Sequence, residues 1–295
     1  MLRRTPARWW IPDGTAPDAV RCLLCPRKCP ILPGKRGYCG VRENAGGKLF
    51  SLVCGCPAAL HNDPIEKKPL YHFLPRTRIF SVGTLGCNLG CVFCQNDSLS
   101  AYAPREGMNF PYYPPEKLVE LALQEKCQSI AFTYNEPTVF AEYAVDTAVL
   151  AHRAGLKTVF VTNGFITPEA AREIYPHIDA ANIDMKGFSE EFYRSMCKGS
   201  LAPVLDSIRL FAVELGKHVE LTNLVIPGRN DSPEMIDAWL DWVERELGME
   251  VPLHFSAYFP AFQFRSAPPT PPALLRQIGR HAQERGFEHV HLGNI

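Results

Sequence analysis

The stretch LGCNLGCVFCQN, residues 85–96, contains three cysteines in a fixed local pattern. Cys87 and Cys91 are separated by three residues, and Cys91 and Cys94 by two. Three thiolates from one loop can ligate three irons of a cubane, whereas a [4Fe–4S] cluster held by protein alone needs four. The pattern therefore predicts a [4Fe–4S] cluster with one iron open to a small molecule, which is typical of a chemical site.

Two other interpretations of this cysteine loop are a zinc knuckle and a group of reduced thiols in the core. Structural zinc is bound by four ligands, and no fourth ligand follows within residues 85–96. The loop therefore favours the cluster, and the surrounding sequence supplies the context that such a motif needs.

Composition and charge limit the functions that need considering. The 295 residues are enough for one large domain and a small one. The formal net charge is zero, so no overall field attracts nucleic acid or an anionic membrane, and we expect neither as a partner. No apolar run reaches the roughly 18 residues of a membrane span, and no apolar signal segment follows the basic residues 1–10.

The chain contains eleven cysteines. Without a signal segment, this number is better explained by metal ligands in a reducing compartment than by a disulfide framework. The sequence therefore predicts a cytoplasmic protein.

Four of these cysteines lie in a short N-terminal segment rich in proline and glycine, namely Cys22, Cys25, Cys29 and Cys39. This N-terminal cysteine segment has few large apolar residues, so a bound metal could hold it together. We predict one metal here, either zinc or a second iron–sulfur cluster, that stabilises the segment without performing the chemistry. The alternative is four reduced thiols without a metal.

Two further features have more than one interpretation. Cys54 and Cys56 could bind a metal or be buried thiols of a short loop. Residues 63–73, DPIEKKPLYHF, could be solvated at their charged end and packed at their aromatic end.

From residue 78 onward, strand patterns alternate with helix patterns. Strands separated by helices imply parallel pairing with right-handed crossovers. Seven such strands are too few for a closed eight-stranded barrel but suit an open, partial one. The predicted strands are 79–83, 129–134, 158–162, 180–184, 218–226, 253–258 and 289–292. The predicted helices are 115–126, 139–154, 168–175, 201–215, 233–247 and 270–285.

Polar residues and glycines directly follow most of these strands. In parallel α/β barrels the active site forms at the carboxyl ends of the strands. One such segment would be an ordinary turn, but several together with the cysteine loop favour a single cofactor pocket. The segments are Asn135-Glu136-Pro137-Thr138, Asn163-Gly164, Asp184-Met185-Lys186-Gly187, residues 227–231 and residues 258–260.

The C-x3-C-x2-C motif, with Phe93 before its last cysteine, resembles the signature of radical S-adenosylmethionine (SAM) enzymes. The resemblance implies that Cys87, Cys91 and Cys94 are the catalytic cluster ligands and that the amino and carboxylate groups of SAM chelate the open iron. It also implies that the reduced cluster splits SAM into methionine and a 5′-deoxyadenosyl radical. The cofactors carry this chemistry, and the protein orients them and excludes water.

The layout from about residue 78 to the end is similar to the radical SAM fold, a partial (β/α)6 TIM-like barrel. By this resemblance Asn135, Glu136 and Pro137 stand where the family has a Gly-Gly-Glu-Pro motif that receives the SAM amine. Tyr134 and Asn135 replace the two glycines, which is a departure from the family pattern.

Strand-end residues Asn163, Asp184 and Lys186 resemble segments of the pyruvate formate-lyase activating enzyme branch. The resemblance implies that they belong to the cofactor pocket, with Asp184 and Lys186 on its SAM and substrate side. The ordinary alternatives are an exposed loop lysine at Lys186 and a turn or helix cap at Asp184.

Nearly the whole chain resembles a narrower group, the activating-enzyme-like radical SAM enzymes of the AmmeMemoRadiSam system. The resemblance is most specific in residues 22–42, 64–73 and 87–96. Sequences of that group usually lack the pair Cys54 and Cys56. They also usually continue past residue 294 into a further cysteine-bearing tail, so we expect this chain to be short at that end.

We expect the chain to divide into a cysteine-rich N-terminal module with its lead-in, residues 1–74, and a radical SAM partial barrel, residues 75–295. The resemblance implies hydrogen abstraction from a substrate and a flavodoxin- or ferredoxin-like electron donor. This hydrogen abstraction has two possible outcomes. The enzyme makes a glycyl radical on a partner protein, or it modifies a small molecule or a protein side chain. A different class of function is a non-catalytic iron–sulfur or zinc scaffold that binds partners through its N-terminal cysteines.

Overall fold

The computed structural model describes residues 3–108 and 110–295. Its strands are β1 Thr5–Pro6, β2 Trp10–Pro12, β3 Val20–Cys22, β4 Pro30–Ile31, β5 Arg42–Ala45, β6 Lys48–Ser51, β7 Ala59–Pro64, β8 Arg78–Gly83, β9 Ser129–Phe132, β10 Lys157–Thr162, β11 Ala180–Asp184, β12 His218–Val225, β13 Leu253–Ala257 and β14 Val290–Gly293. Its α-helices are α1 Asp97–Ser100, α2 Pro115–Gln124, α3 Ala141–Arg153, α4 Pro168–Ile174, α5 Glu190–Phe192, α6 Ala202–Arg209, α7 Pro233–Leu247 and α8 Pro272–Glu284. Shorter 3-10 and π turns lie at Ile65–Lys67, Pro137–Phe140, Tyr175–His177, Tyr193–Cys197 and Leu210–Glu214.

The main sheet contains eight strands in the order β14-β13-β12-β11-β10-β9-β8-β7. Each neighbouring pair from β8 to β14 is parallel, and helices connect most of these strands. This arrangement confirms the predicted partial, TIM-like α/β barrel. It also places the carboxyl ends of the seven strands, β8 to β14, along one rim.

The eighth strand, β7, was not predicted and pairs antiparallel with β8. Its sequence, ALHNDP, lacks β-branched residues and ends in proline, so it carries little strand signal. Proline and polar residues are tolerated at the edge of a sheet, and β7 lies at that edge. The division of the chain at residue 74 remains a prediction.

The residues after β7 cover the inner face of the barrel. Ile65 and Leu70 pack with Ile79, Ala131 and Val159 in a small cluster separate from the helix-covered core. Because side chains alternate across a strand, these strand residues face away from the helices. Side chains of the barrel strands hydrogen-bond to the backbone of the residues after β7. Asn182 donates to the Pro69 carbonyl at 2.8 Å, and Glu220 accepts from the His72 N–H at 2.8 Å.

Helix ends follow local capping signals in the sequence. Ser232 caps α7 through a hydrogen bond from the Met235 N–H, and Gly248, with φ +83°, follows its last residue. The predicted helix at 201–215 is divided into α6 and a π turn, Leu210–Glu214. Among the described residues, none of the helices is long and apolar enough to cross a membrane.

The N-terminal part forms two small antiparallel sheets, with strand orders β1-β6-β5 and β2-β3-β4. β2 and β3 form a hairpin around Asp13, in which Trp10 pairs with Cys22 and Pro12 with Val20. Both sheets have short strands, so the loops between them carry most of the N-terminal cysteines.

Candidate active site

A cavity of about 390 Å³ lies at the carboxyl rim of the barrel, within the range of small-molecule and cofactor sites. It gathers residues from the cysteine loop, from several strand ends and from the segment after β7. The predicted site residues that line it are Cys87, Cys91, Cys94, Asn135, Glu136, Asn163, Asp184 and Lys186. Pro137 is buried and does not line it.

Backbone contacts on both sides hold the cysteine loop. The Gly90 N–H donates to the Cys197 carbonyl at 2.8 Å, and the Val92 N–H donates to the Met196 carbonyl at 2.9 Å. Gly86 has φ +88°, and a Cβ there would lie 2.6 Å from the Cys39 carbonyl oxygen. The loop is therefore clamped between the π turn Tyr193–Cys197 and the N-terminal cysteine segment, and only glycine fits at this crossing.

The loop sulfurs already have polar neighbours. The Leu89 N–H donates to Cys87 Sγ at 3.4 Å, Asn163 Nδ2 reaches the same sulfur at 3.7 Å, and Cys94 Sγ lies 2.9 Å from Ser100 Oγ. Burial raises the pKa of Cys87 and Cys94, and a hydrogen bond with Cys197 followed by burial raises the pKa of Cys91. Metal binding must therefore release protons from these thiols, as it does at most thiolate sites.

The loop cysteines suit a cluster better than a single ion. Within residues 3–108 and 110–295, no group of three or more His, Cys, Asp or Glu side chains has the geometry to hold one metal ion. In a cubane each thiolate binds a different iron, so its sulfurs stand farther apart than around one ion. Three thiols at the wall of an open cavity fit a cluster with one exposed iron.

Glu136 is 1% exposed, and its carboxylate is held by three donors. It accepts hydrogen bonds from the Thr138 N–H at 2.9 Å, from Thr162 Oγ1 at 2.7 Å and from the Asn163 N–H at 2.8 Å. Burial raises the pKa of this carboxyl, and these donors oppose the shift. These contacts of Glu136 join the ends of β9 and β10. The role of Glu136 in binding SAM stays a prediction.

Asn135 uses its side-chain amide to hold the chain that leads into the cysteine loop. Its Oδ1 accepts from the Thr84 N–H at 3.0 Å, and its Nδ2 donates to Thr84 Oγ1 at 3.1 Å and to the Gly86 carbonyl at 2.9 Å. The predicted cofactor contact of Asn135 is untested, and the structure adds this positioning role.

Tyr134, which replaces a family glycine, keeps the backbone conformation that glycine favours, with φ +70°. Such a conformation costs a non-glycine residue on the order of 1–3 kcal/mol. Its hydroxyl donates to Asp63 Oδ2 at 2.8 Å, and Lys68 Nζ lies 4.3 Å from its ring centroid. A Cβ at Gly83 would lie 2.9 Å from the Tyr134 ring, so the missing side chain there makes room for it.

Sequence reasoning missed Asp63 and Lys68, which lie inside the barrel beside the site. Lys68 is 2% exposed, lines the cavity and pairs with Asp63 at 2.8 Å. Lysine is almost never fully buried unless it is paired. The adjacent lysines and the aspartate of residues 63–73 were the available signal, but charged residues in a lead-in usually face solvent.

Lys186 and Asp184 form an ion pair at the edge of the cavity, with Nζ and Oδ2 2.6 Å apart. Burial lowers the pKa of Lys186, but the charge and hydrogen bond of the Asp184 carboxylate outweigh it and hold that pKa above its usual range. Lys186 is therefore a positive charge close to the cysteine loop. The ordinary alternative of an exposed loop lysine is wrong, because only 18% of its side chain is exposed.

Comparison with known proteins agrees with this geometry. The family profile described as the Radical SAM superfamily matches residues 81–242, more than half of the chain. An uncharacterized protein of Methanocaldococcus jannaschii is 42% identical over 280 residues, which is 94% of this chain and 82% of that protein.

Solved structures share the fold at low identity. A radical SAM methyltransferase from Sphaerobacter thermophilus superposes with a TM-score of 0.57 at 14% identity, over 75% of this chain and 67% of that one. SuiB from Streptococcus suis superposes with a TM-score of 0.54 at 14% identity, over 72% of this chain and 48% of that one. The family match and the predicted signature in the matched region lead to one assignment: this chain is an enzyme of the radical SAM superfamily, whose members bind a [4Fe–4S] cluster and SAM.

Proposed function

We propose that this enzyme uses Cys87, Cys91 and Cys94 to hold the cluster and uses the adjoining cavity to bind SAM and the substrate. The cavity carries this proposal, because the three thiols line it together with Glu136, which follows β9, and Lys186, which follows β11. When bound and reduced, the cluster would supply the electron for reductive cleavage of SAM, and the cavity would hold the substrate for hydrogen abstraction.

The residues around the thiols orient and tune them. Hydrogen bonds to the sulfurs raise the reduction potential of iron–sulfur clusters, and Asn163, Ser100 and the Leu89 N–H are placed to make such bonds. The charge of Lys186 favours the anionic thiolates on the same side of the cavity.

Glu136 is proposed to receive the SAM amine through its buried carboxylate. A carboxylate is the natural acceptor for an ammonium group, and burial strengthens such a pair when its other lone pairs are satisfied. Asn135 and Tyr134 position the same strand end, and Lys68, which pairs with Asp63, lines the inner side of the cavity.

Enzymes of this family need an electron donor, and we propose a cytoplasmic, low-potential protein of flavodoxin or ferredoxin type. We further place the chain in the activating-enzyme-like AmmeMemoRadiSam group, on the resemblance of residues 22–42, 64–73 and 87–96. The substrate is then either a partner protein that acquires a radical or modification, or a small molecule. Membership of an enzyme family favours catalysis over the scaffold.

The test is SAM cleavage without substrate. The anaerobically reconstituted protein, reduced with dithionite and given SAM, is expected to produce 5′-deoxyadenosine and methionine. Cys91→Ala should produce none, whereas Cys127→Ser should match the wild type, because Cys127 is a buried cysteine outside the cavity. Wild-type protein with a complete cluster that forms no 5′-deoxyadenosine would contradict the proposal.

A further inference from the structure

A second group of thiols converges on one narrow cavity that the proposed SAM chemistry does not use. Cys22, Cys25, Cys29 and Cys39 all line it. Cys22 ends β3, Cys25 and Cys29 flank the turn into β4, and Cys39 comes from the loop before β5. Within the described chain all four are free of disulfides, so folding brings the three thiols around the β3–β4 turn and the one from the loop before β5 to one place.

The turn that carries Cys25 and Cys29 has little regular secondary structure of its own. β3 has three residues and β4 has two, and the intervening turn carries Lys28 with φ +43°. Two backbone hydrogen bonds close this turn, from the Cys22 N–H to the Cys29 carbonyl and from the Lys28 N–H to the Cys25 carbonyl, both at 3.0 Å. Short strands and turns of this kind are common where a metal centre supplies the missing cohesion.

A single zinc ion does not fit the arrangement. Tetrahedral zinc with bonds of about 2.3 Å would hold its sulfurs roughly 3.8 Å apart. In residues 3–108 and 110–295 no three potential ligands have single-ion geometry. The cysteine loop also lacks a single-ion site and belongs to a family that binds a cubane, so the N-terminal thiols are compared with cluster ligands rather than with ligands of one ion.

Charge and hydrogen bonding at the cavity also suit an anionic cluster. Arg42 lines it and is 1% exposed, and its Nε has no hydrogen-bond partner among the described residues. Its other nitrogens bind the Glu142 carboxylate at 2.9 and 3.1 Å and the Arg8 carbonyl. A buried N–H without a partner is costly, and a cluster or cysteine sulfur can accept its hydrogen bond. Arg27 adds a second guanidinium to the lining.

We propose that Cys22, Cys25, Cys29 and Cys39 bind a second [4Fe–4S] cluster in which every iron has a protein ligand. Four thiolates match the four irons of a cubane, so no position is left for SAM. This inference goes beyond the proposed function, because it concerns a separate site and does not depend on SAM cleavage.

The second cluster stands directly behind the cysteine loop. Asn88, the neighbour of Cys87, lines the N-terminal cavity, and its Oδ1 accepts from Asn163 Nδ2 at 3.0 Å. Thr138 and Val139, from the turn after Glu136, line the same cavity. One layer of residues therefore separates the two sites, and the closed cluster supports both the cysteine loop and the turn that carries Glu136.

The experiment counts iron and acid-labile sulfide after anaerobic reconstitution. The triple variant Cys87→Ala/Cys91→Ala/Cys94→Ala, which removes the ligands of the first site, is expected to keep about four irons and four sulfides. It should show the visible absorbance and, after reduction, the electron paramagnetic resonance signal of a [4Fe–4S] cluster. Adding Cys25→Ser/Cys29→Ser should remove both. Adding Cys54→Ser/Cys56→Ser instead should leave both, because that pair lies outside the cavity.

Three outcomes would overturn the second cluster. The triple variant could bind no iron, it could hold one tightly bound zinc, or its iron could be insensitive to the serine substitutions. The triple variant has intact N-terminal cysteines, so it decides the question even if the serine variants fail to fold. SAM cleavage by the wild type is measured separately, which keeps failure of the proposed function distinguishable from failure of this inference.

Discussion

The cysteine loop and the N-terminal cysteine segment each concentrate thiols, yet they surround different spaces. Cys87, Cys91 and Cys94 line a cavity of about 390 Å³ that also contains acidic, basic and amide side chains. The four N-terminal thiols line a narrow cavity whose remaining walls include the apolar Ile31 and Val139 as well as Arg27, Arg42 and Asn88. Three ligands beside an open space suit a reactive cluster, whereas four in a closed space suit a structural one.

We expect the largest loss of SAM cleavage from substitutions in the cysteine loop rather than in the N-terminal cysteine segment. Replacing any one of Cys87, Cys91 and Cys94 with Ala should remove most of the cluster at that site, since two irons then lack protein ligands. Iron content should fall by about four per chain, and 5′-deoxyadenosine formation should fall to background. Full iron and sulfide at that site, after subtraction of the second cluster, would refute the assignment.

The N-terminal pair Cys25→Ser/Cys29→Ser should lower metal content by one site and leave SAM cleavage without substrate at least partly intact. The segment should also become sensitive to proteolysis, because its short strands lose the centre that holds them. Limited proteolysis and metal analysis check this. Unchanged metal and unchanged protease resistance would mean that these residues are ordinary reduced thiols.

Complete loss of SAM cleavage in the same double variant, with the first cluster retained, would have a different meaning. The N-terminal site would then belong to the catalytic machinery, and the contrast between a reactive and a structural centre would fail.

In the cavity beside the cysteine loop, Glu136→Ala should retain iron but weaken SAM binding. A hydrogen bond to a charged group contributes on the order of 1.5–3 kcal/mol, which corresponds to a 10- to 100-fold change in affinity. The variant should also unfold more easily, since it leaves the donors Thr138 N–H, Thr162 Oγ1 and Asn163 N–H without their acceptor. Equilibrium binding of SAM measures the effect, and equal affinity at equal iron content would exclude the role.

Tyr134→Phe should destabilise the protein by about 1.5–3 kcal/mol, because the phenol donates to the buried Asp63 carboxylate. Denaturant unfolding measures the loss, and Tyr102→Phe, at a residue 48% exposed, serves as the matched control. Iron binding at both sites should persist. Equal stability of the two variants would show that the Asp63 contact does not hold this strand end.

The smallest expected effect is at Cys54 and Cys56. These thiols are partly buried and line neither cavity, so Cys54→Ser/Cys56→Ser should change neither iron content nor SAM cleavage. Loss of iron in this variant would mean that a cluster recruits ligands from outside the two groups.

Much of the barrel was predictable because its signals are local. The strand predicted at 180–184 coincides with β11, and the other barrel strands differ from the prediction by one or two residues at their ends. Proline and serine or threonine at helix starts and glycine at helix ends mark boundaries within a few residues. β7 escaped prediction because its polar sequence acquires strand structure from its pairing with β8.

The candidate site was predictable to the extent that strand ends share one rim. Eight predicted residues line the cavity, since parallel topology alone brings their backbones together. Their individual contacts were not predictable, because the amide of Asn135 binds Thr84 and Gly86, far along the chain. The participation of Lys68 and Asp63 depends on a lead-in that folds into the barrel.

By itself, the amino-acid sequence determined the superfamily, the open cluster motif and the alternation of strands and helices. Each of these depends on the spacing of residues that are close together in the chain. Only the tertiary structure decided that Asn88 lies between two groups of cysteines and that Tyr134 adopts a glycine-like backbone beside Asp63. These features arise where loops distant in the chain pack together. Their stability depends on burial and hydrogen bonding between those loops, and no local pattern encodes such contacts.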